Sequence, residues 1–378
     1  MEDMTQKNKR LYNSTFLGLM PENKRLYSLD VIRFVSFLLV LIFHILYHVG
    51  SMDGFSYKPP KYFNHIGVSF FIILSGVSLG LNNCDTKVLS FYKKRFLSIF
   101  PSYWVSYLAV AIYFFISKSV LIIEKNSIWT LIGFDGYFLF KFQTKYLVGE
   151  WYTGFILLIY LIAPFVIRFI KKNGGLALVS SFFISAVSYF LIQKFELGEN
   201  SIFIQRYVTC NPTVRLFEFA FGIYLSNIIN DKKKMFRGFL ICSAVLSVTL
   251  ISIKLFALTE VFFYIPIFSS IFFIAFYSMN KITFNEVLIS PVLFFAKHSF
   301  GAFLVHHFII VQVLEVQKTM FSFHPFKLAL VSVFITVFTL SYVSAYFLNM
   351  PSIILKSYMV NVIEFCKLLI NKILKKDI

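Results

Sequence analysis

The chain has 378 residues, of which 58% are hydrophobic and only 14% charged, and its mean hydropathy is +0.75. A soluble domain of this size has too little interior to bury so much apolar surface, so a soluble enzyme is excluded and a polytopic membrane protein is implied. The formal charge of +18 does not signal nucleic acid, because the cations fall in short segments between apolar runs and not on a polar module.

Residues 1–28 are polar and basic, and the first apolar run has full spanning length. No cleavable signal peptide is expected, and the first helix should act as the insertion signal. Apolar runs predict about ten transmembrane helices, at 29–49, 63–83, 99–117, 152–170, 176–194, 213–229, 236–256, 261–279, 291–314 and 326–348. The fold class is therefore an all-α membrane helix bundle. With the amino terminus placed in the cytoplasm, the inner segments carry about twice as many Lys and Arg as the outer ones. The short clusters "KKR" at 93–95, "RFIKK" at 168–172 and "DKKKMFR" at 231–237 all fall on that inner side, so both termini should be cytoplasmic. The 118–150 loop, with "GFDGY" at 133–137 as a turn, is long enough to fold over a site. The tail, from residue 353 to 378, alternates apolar residues with Lys367, Lys372, Lys375 and Lys376, a pattern suited to an amphipathic helix on anionic inner-leaflet lipid. Cys84, Cys210, Cys242 and Cys366 lack CxxC or metal-type spacing, so neither a disulfide framework nor a metal site is expected.

Ionisable residues at bilayer depth are costly and mark candidate sites. In "LDVIRFVSFLLVLIFH", Arg33 and His44 are eleven residues apart, which is about three turns and 16 Å on one helix face. His306 falls at a depth similar to that of His44, on the span that starts near Pro291. His48 lies one turn above His44, and His307 is turned about 100° from His306, so both receive supporting roles. Arg215 and Glu218 share one face of the sixth span, as an ion pair or as catalytic groups. Ser75 and Gly76 in "FFIILSG" suit close helix packing. In "FYKKRFLSIFPSYW", Lys93 and Lys94 suit membrane anchoring, whereas Arg95 can join Arg33 in a phosphate-binding mouth, since guanidinium binds phosphate in a bidentate manner. Arginines at the inner end with imidazoles deeper in the bilayer suit an activated donor with a phosphorylated handle.

Six motifs stand out: Arg33 and His44 with ten residues between them, "GVSFFIILSG" at 67–76, "KRFLSIFPSYW" at 94–104, Trp151 with Tyr160 and Pro164, "RLFEFAFG" at 215–222, and "HSFGAFLVHH" at 298–307. Taken together, they resemble the acyltransferase-3 family of integral-membrane acyltransferases. The order and depth of the six match the family. Three departures stand out. Ser98 occupies the place of a second Arg in the basic motif, Ile156 that of a Glu, and no fused SGNH-hydrolase-type domain is expected.

The resemblance implies a transmembrane acyltransferase domain over 29–350, between a cytoplasmic basic segment (1–28) and a cytoplasmic tail (351–378), in the cell membrane. It implies acyl transfer, most simply O-acetyl transfer, from acetyl-CoA or another short acyl-CoA onto a cell-surface polysaccharide or other extracytoplasmic glycan. Arg33, Arg95 and Lys94 would bind the coenzyme A phosphates, and His44, His306 and Glu218 would carry the chemistry, with no metal. His44 would act as general base or as transient acyl carrier. The expected partners are the glycan acceptor, acyl-CoA and membrane lipids, with no nucleic acid. A transporter or flippase of acyl or lipid-linked sugar groups is the competing reading, and it predicts an internal duplication that the halves do not show. A glycan polymerase would call for a larger outer loop.

Overall fold

The computed structural model describes residues 26–52, 62–82, 87–120, 125–137, 148–194, 210–256, 261–317, 321 and 325–374. Among the described residues there are eleven helices and no strand. In chain order they are α1 (Tyr27–Gly50), α2 (Tyr62–Asn82), α3 (Val88–Lys118), α4 (Ser127–Leu131), α5 (Glu150–Asn173), α6 (Gly175–Lys194), α7 (Leu216–Ile228), α8 (Lys232–Phe256), α9 (Val261–Met279), α10 (Glu286–Gln317) and α11 (Phe326–Leu374).

Eight of these helices are long and apolar enough to cross a membrane, while α7 and the described part of α9 are shorter apolar helices. Each of the ten expected spans thus meets one helix, and the remaining helix, α4, lies in the 118–150 loop. The protein is an all-α polytopic membrane bundle. The peripheral helices α6 and α8 turn large apolar side chains outward, among them Phe183, Phe190, Leu240 and Ile251, as a lipid-facing surface requires. Pro101, Pro164, Pro266, Pro291 and Pro351 sit inside helices, which membrane helices tolerate because neighbours re-satisfy the freed carbonyls.

The bundle is held at its centre by backbone contact between α2 and α7. A Cβ added at Gly76 would lie 2.2 Å from the Phe219 carbonyl oxygen, and one at Gly222 would lie 2.1 Å from that of Ile73. Small residues let the two helices approach closely, so the packing role expected of Gly76 is met. The backbone before α7 is not helical, and side chains satisfy it. The Asn211 carboxamide oxygen accepts the Thr213 N–H at 2.9 Å, and Ser185 Oγ accepts the Phe217 N–H at 3.1 Å. Asp231 caps α8: its carboxylate accepts the Lys234 backbone N–H, which holds its pKa below the usual carboxylate range.

Two further features position the site. The first is the turn at 133–137, where Gly133 has φ +83°. Beside it, the Leu131 carbonyl accepts the Trp104 indole N–H at 2.8 Å, and Gly149 N–H reaches the Leu304 carbonyl on α10. The rest of the 118–150 loop, 121–124 and 138–147, lies outside the described residues. The second is α11, which runs for 49 residues. At 1.5 Å per residue that is about 73 Å, more than twice a hydrocarbon core. The described part of the tail, 351–374, is therefore helical and continuous with the tenth span.

Candidate active site

The i, i+4 spacing on α1 puts His44 and His48 on one face, and α10 brings His306 and His307 against them. His44 Nδ1 and His306 Nε2 are 3.1 Å apart, and His306 Nδ1 lies 2.6 Å from the Phe303 carbonyl oxygen. A carbonyl only accepts, so His306 Nδ1 carries the hydrogen. In a neutral ring His306 Nε2 is then the acceptor, and His44 Nδ1 donates to it. The basic lone pair of His44 is left on Nε2. Both rings are buried, His306 completely, and the rings of Phe37 and Phe303 pack against His306 at 5.9 and 5.5 Å. The matched depth read from sequence is thus a direct hydrogen bond.

His307 is closer to this centre than its 100° offset suggested. Its ring lies 4.4 Å from that of His44, and its Nδ1 is 3.2 Å from His48 Nε2. Two consecutive helical residues flank a seam, and His44 projects into the seam between 306 and 307. All four imidazoles therefore form one cluster.

Below the histidines lies a cavity of about 370 Å³ lined by α1, α2, α3, α5, α10 and α11. Its cations are Arg33, Lys297 and Lys356. Arg33 is buried, 3.8 Å from Asp30 one turn earlier. Lys356 comes from the continuation of α11, a contact that no local sequence signal announces. Ser98 and Ile156, the two departures from the family pattern, both line this cavity.

Arg95 stands behind the cavity wall. Its guanidinium is 6.0 Å from the ring centre of Tyr160, which lines the cavity and hydrogen bonds Ser75 Oγ at 2.9 Å. It is also near enough to Lys356 for the two cations to repel. Lys94 is exposed and is not part of the cavity wall.

At its deep end the cavity meets Tyr152 and Phe303, whose rings are 5.6 Å apart. Neither His44 nor His306 lines it. The cavity thus extends from Arg33 to this aromatic layer, with Phe303 packed on His306 from the other side.

Arg215 and Glu218 form a buried bidentate pair. Arg215 Nε and Nη2 both donate to the carboxylate, and Nη2 also donates to Ser69 Oγ on α2 at 2.8 Å. Both Glu218 oxygens are engaged by Arg215, so this geometry gives the pair a joining role between α7 and α2. Taking two charges out of water is costly, and the paired hydrogen bonds offset that cost. The pair remains close to the site, because its charges and that of Arg33 all act on the Tyr152 hydroxyl.

A cavity lined by three cations thus lies beneath a hydrogen-bonded histidine pair, inside a membrane helix bundle. The family model described as an acyltransferase domain, that of the acyltransferase-3 family, matches residues 26–350, and the chain belongs to this family. It is a membrane acyltransferase. Neither the curated proteins nor the solved structures contain a match to the chain.

Proposed function

We propose that the protein resides in the cell membrane and moves a short acyl group, acetyl in the simplest case, from cytoplasmic acyl-coenzyme A onto a hydroxyl of a cell-surface polysaccharide or related glycan. The observation that carries this reading is the order of groups along the bundle: cations, then an aromatic layer, then the histidine pair. The basic clusters at 93–95, 168–172 and 231–237 support a cytoplasmic position for the cationic end. At 370 Å³ the cavity is at the small end of ligand pockets. It therefore suits a thin pantetheine-like arm, with the nucleotide left at the mouth.

Arg33, Lys297 and Lys356 attract the phosphates, with Arg95 adding to the positive potential, and Lys356 supplies a cation on the wall where Ser98 has none. Tyr152 and Phe303 separate the cavity from the histidines and must turn aside for the thioester carbonyl to reach them. His44 Nε2 takes the proton of the acceptor hydroxyl as its oxygen bonds to the acyl carbon. The carbon–sulfur bond breaks, and His44 returns the proton to the sulfur. His306 fixes the His44 tautomer and accepts from Nδ1–H throughout, which stabilises the transient imidazolium.

The test is the ester content of surface glycan, read by NMR, in cells with and without the protein, together with release of free coenzyme A by the purified protein when glycan is added. Identical ester content in the two cell lines and no coenzyme A release would overturn the reading.

A further inference from the structure

We propose that His44, His306, His307 and His48 form a binding site for a divalent transition-metal ion of the zinc class, and that the bound ion switches the enzyme off by occupying its base. The second half of the proposal rests on acyl transfer through His44; the first half does not.

The geometry carries the site. One ring nitrogen each from His44, His306 and His307 lie within 4.8 Å of one another. Two pairs are already at chelating distance: His44 Nδ1 to His306 Nε2 at 3.1 Å, and His48 Nε2 to His307 Nδ1 at 3.2 Å. Zinc–imidazole bonds of about 2.0–2.1 Å in tetrahedral geometry place neighbouring ligand nitrogens about 3.3–3.4 Å apart. His44, His306 and His307 are thus the core ligands, and His48, beside His307, is the proposed fourth.

The outer contacts point the same way. A metal-bound histidine commonly donates its other ring N–H to a backbone carbonyl or carboxylate, which aims the lone pair at the ion. His306 does this through Nδ1 to the Phe303 carbonyl at 2.6 Å, aiming Nε2 at the cluster centre. The donor set is imidazole alone, which selects Zn²⁺, Cu²⁺ or Ni²⁺ over Mg²⁺ or Ca²⁺. His48 and His307 are only half-buried, whereas His44 and His306 are buried. An ion therefore enters past the first pair and stops at the second.

Occupancy has a chemical cost. Coordination through Nδ1 of His44 displaces the hydrogen bond to His306 and moves the ring hydrogen to Nε2, the atom that must accept the hydroxyl proton. Metal and substrate proton thus compete for one imidazole.

The experiment uses the full-length protein, purified with a histidine-free tag and stripped by chelator. Co²⁺ is titrated with visible absorption as the readout, and Zn²⁺ by calorimetry and by protection of histidines from diethylpyrocarbonate. The expected result is one ion per chain, a tetrahedral Co²⁺ band removed by Zn²⁺, and Zn²⁺ protection of His44 and His307 in the wild-type chain. His48→Gln and His307→Gln should each weaken binding about tenfold or more. Transfer by the wild-type protein should fall over the same Zn²⁺ range and return with chelator. No Co²⁺ band, unchanged affinity in both variants, or no protection of the cluster overturns the site; one ion bound with transfer unaffected overturns the switch. A metal-free wild-type protein that transfers nothing would instead count against the proposed function, and the spectroscopic titration would still decide the site.

Discussion

At the scale of single residues, the proposed mechanism separates groups that hold the donor from groups that do the chemistry. His44→Ala should lower acyl transfer by about 10²–10⁴-fold, the range for a lost general base, while protein yield and thermal stability in detergent stay near wild type. A variant that still transfers at the wild-type rate would remove His44 from the mechanism. Arg33→Ala and Lys356→Ala should each raise the KM for acyl-coenzyme A several-fold and leave kcat nearly unchanged. Arg33→Lys should recover only part of the loss, because an ammonium does not reproduce the planar fork on phosphate. Arg33 and His44 were legible in the sequence because both lie on one helix and obey its period. His306 was legible from depth alone. Lys356 was not, since it reaches the cavity only through the path of α11, more than 300 residues from Arg33. The place of His307 in the cluster was hidden for a different reason: angular offset on one helix does not say where a partner inserts. Arg215 and Glu218 were legible as neighbours, and the fold added Ser69 and the joining of α7 to α2.

At the scale of elements, the contact of α2 with α7 is the least forgiving in the bundle. Gly222→Ala puts a methyl group where the Ile73 carbonyl stands, so the helices must separate. Overpacking of this kind costs about 1–3 kcal/mol or more. The expected outcome is a fall in melting temperature and in detergent-stable yield, whereas Gly175→Ala, whose added Cβ meets nothing within 4 Å, should leave both unchanged. Equal stability of the two variants would show that the helices can part without loss. Apolar run length was enough to place ten spans, because the bilayer imposes that length on any crossing helix. It overestimated the sixth, where residues 213–215 satisfy their backbone through side chains and turns before α7 begins. Run length is also silent on the chain beyond Pro351, where the helix continues with a proline in its interior.

At the scale of the whole molecule, sidedness is testable through Cys366, which is exposed on the last stretch of α11. In a chain carrying Cys84→Ser, a membrane-impermeant maleimide should label Cys366 only after the cells are opened. Labelling of intact cells would invert the orientation and place the cationic cavity outside. The hydrogen-bonded pair of His44 and His306 also has an energetic consequence for the membrane as a capacitor. In the proposed reaction an acyl group leaves the cytoplasmic thioester for the outer hydroxyl, and the hydroxyl proton ends on the cytoplasmic sulfur, so the net event would be an electroneutral exchange. A full charge crossing the bilayer would add about 2.3 kcal/mol per 100 mV; here that work cancels. Transfer in vesicles should therefore run at the same rate whether a potassium gradient with valinomycin sets the interior negative, positive or at zero, and a rate that tracks the voltage would mean that charge crosses with the acyl group. With no electrical work in the proposed exchange, the free energy of the thioester alone would drive the acyl group outward.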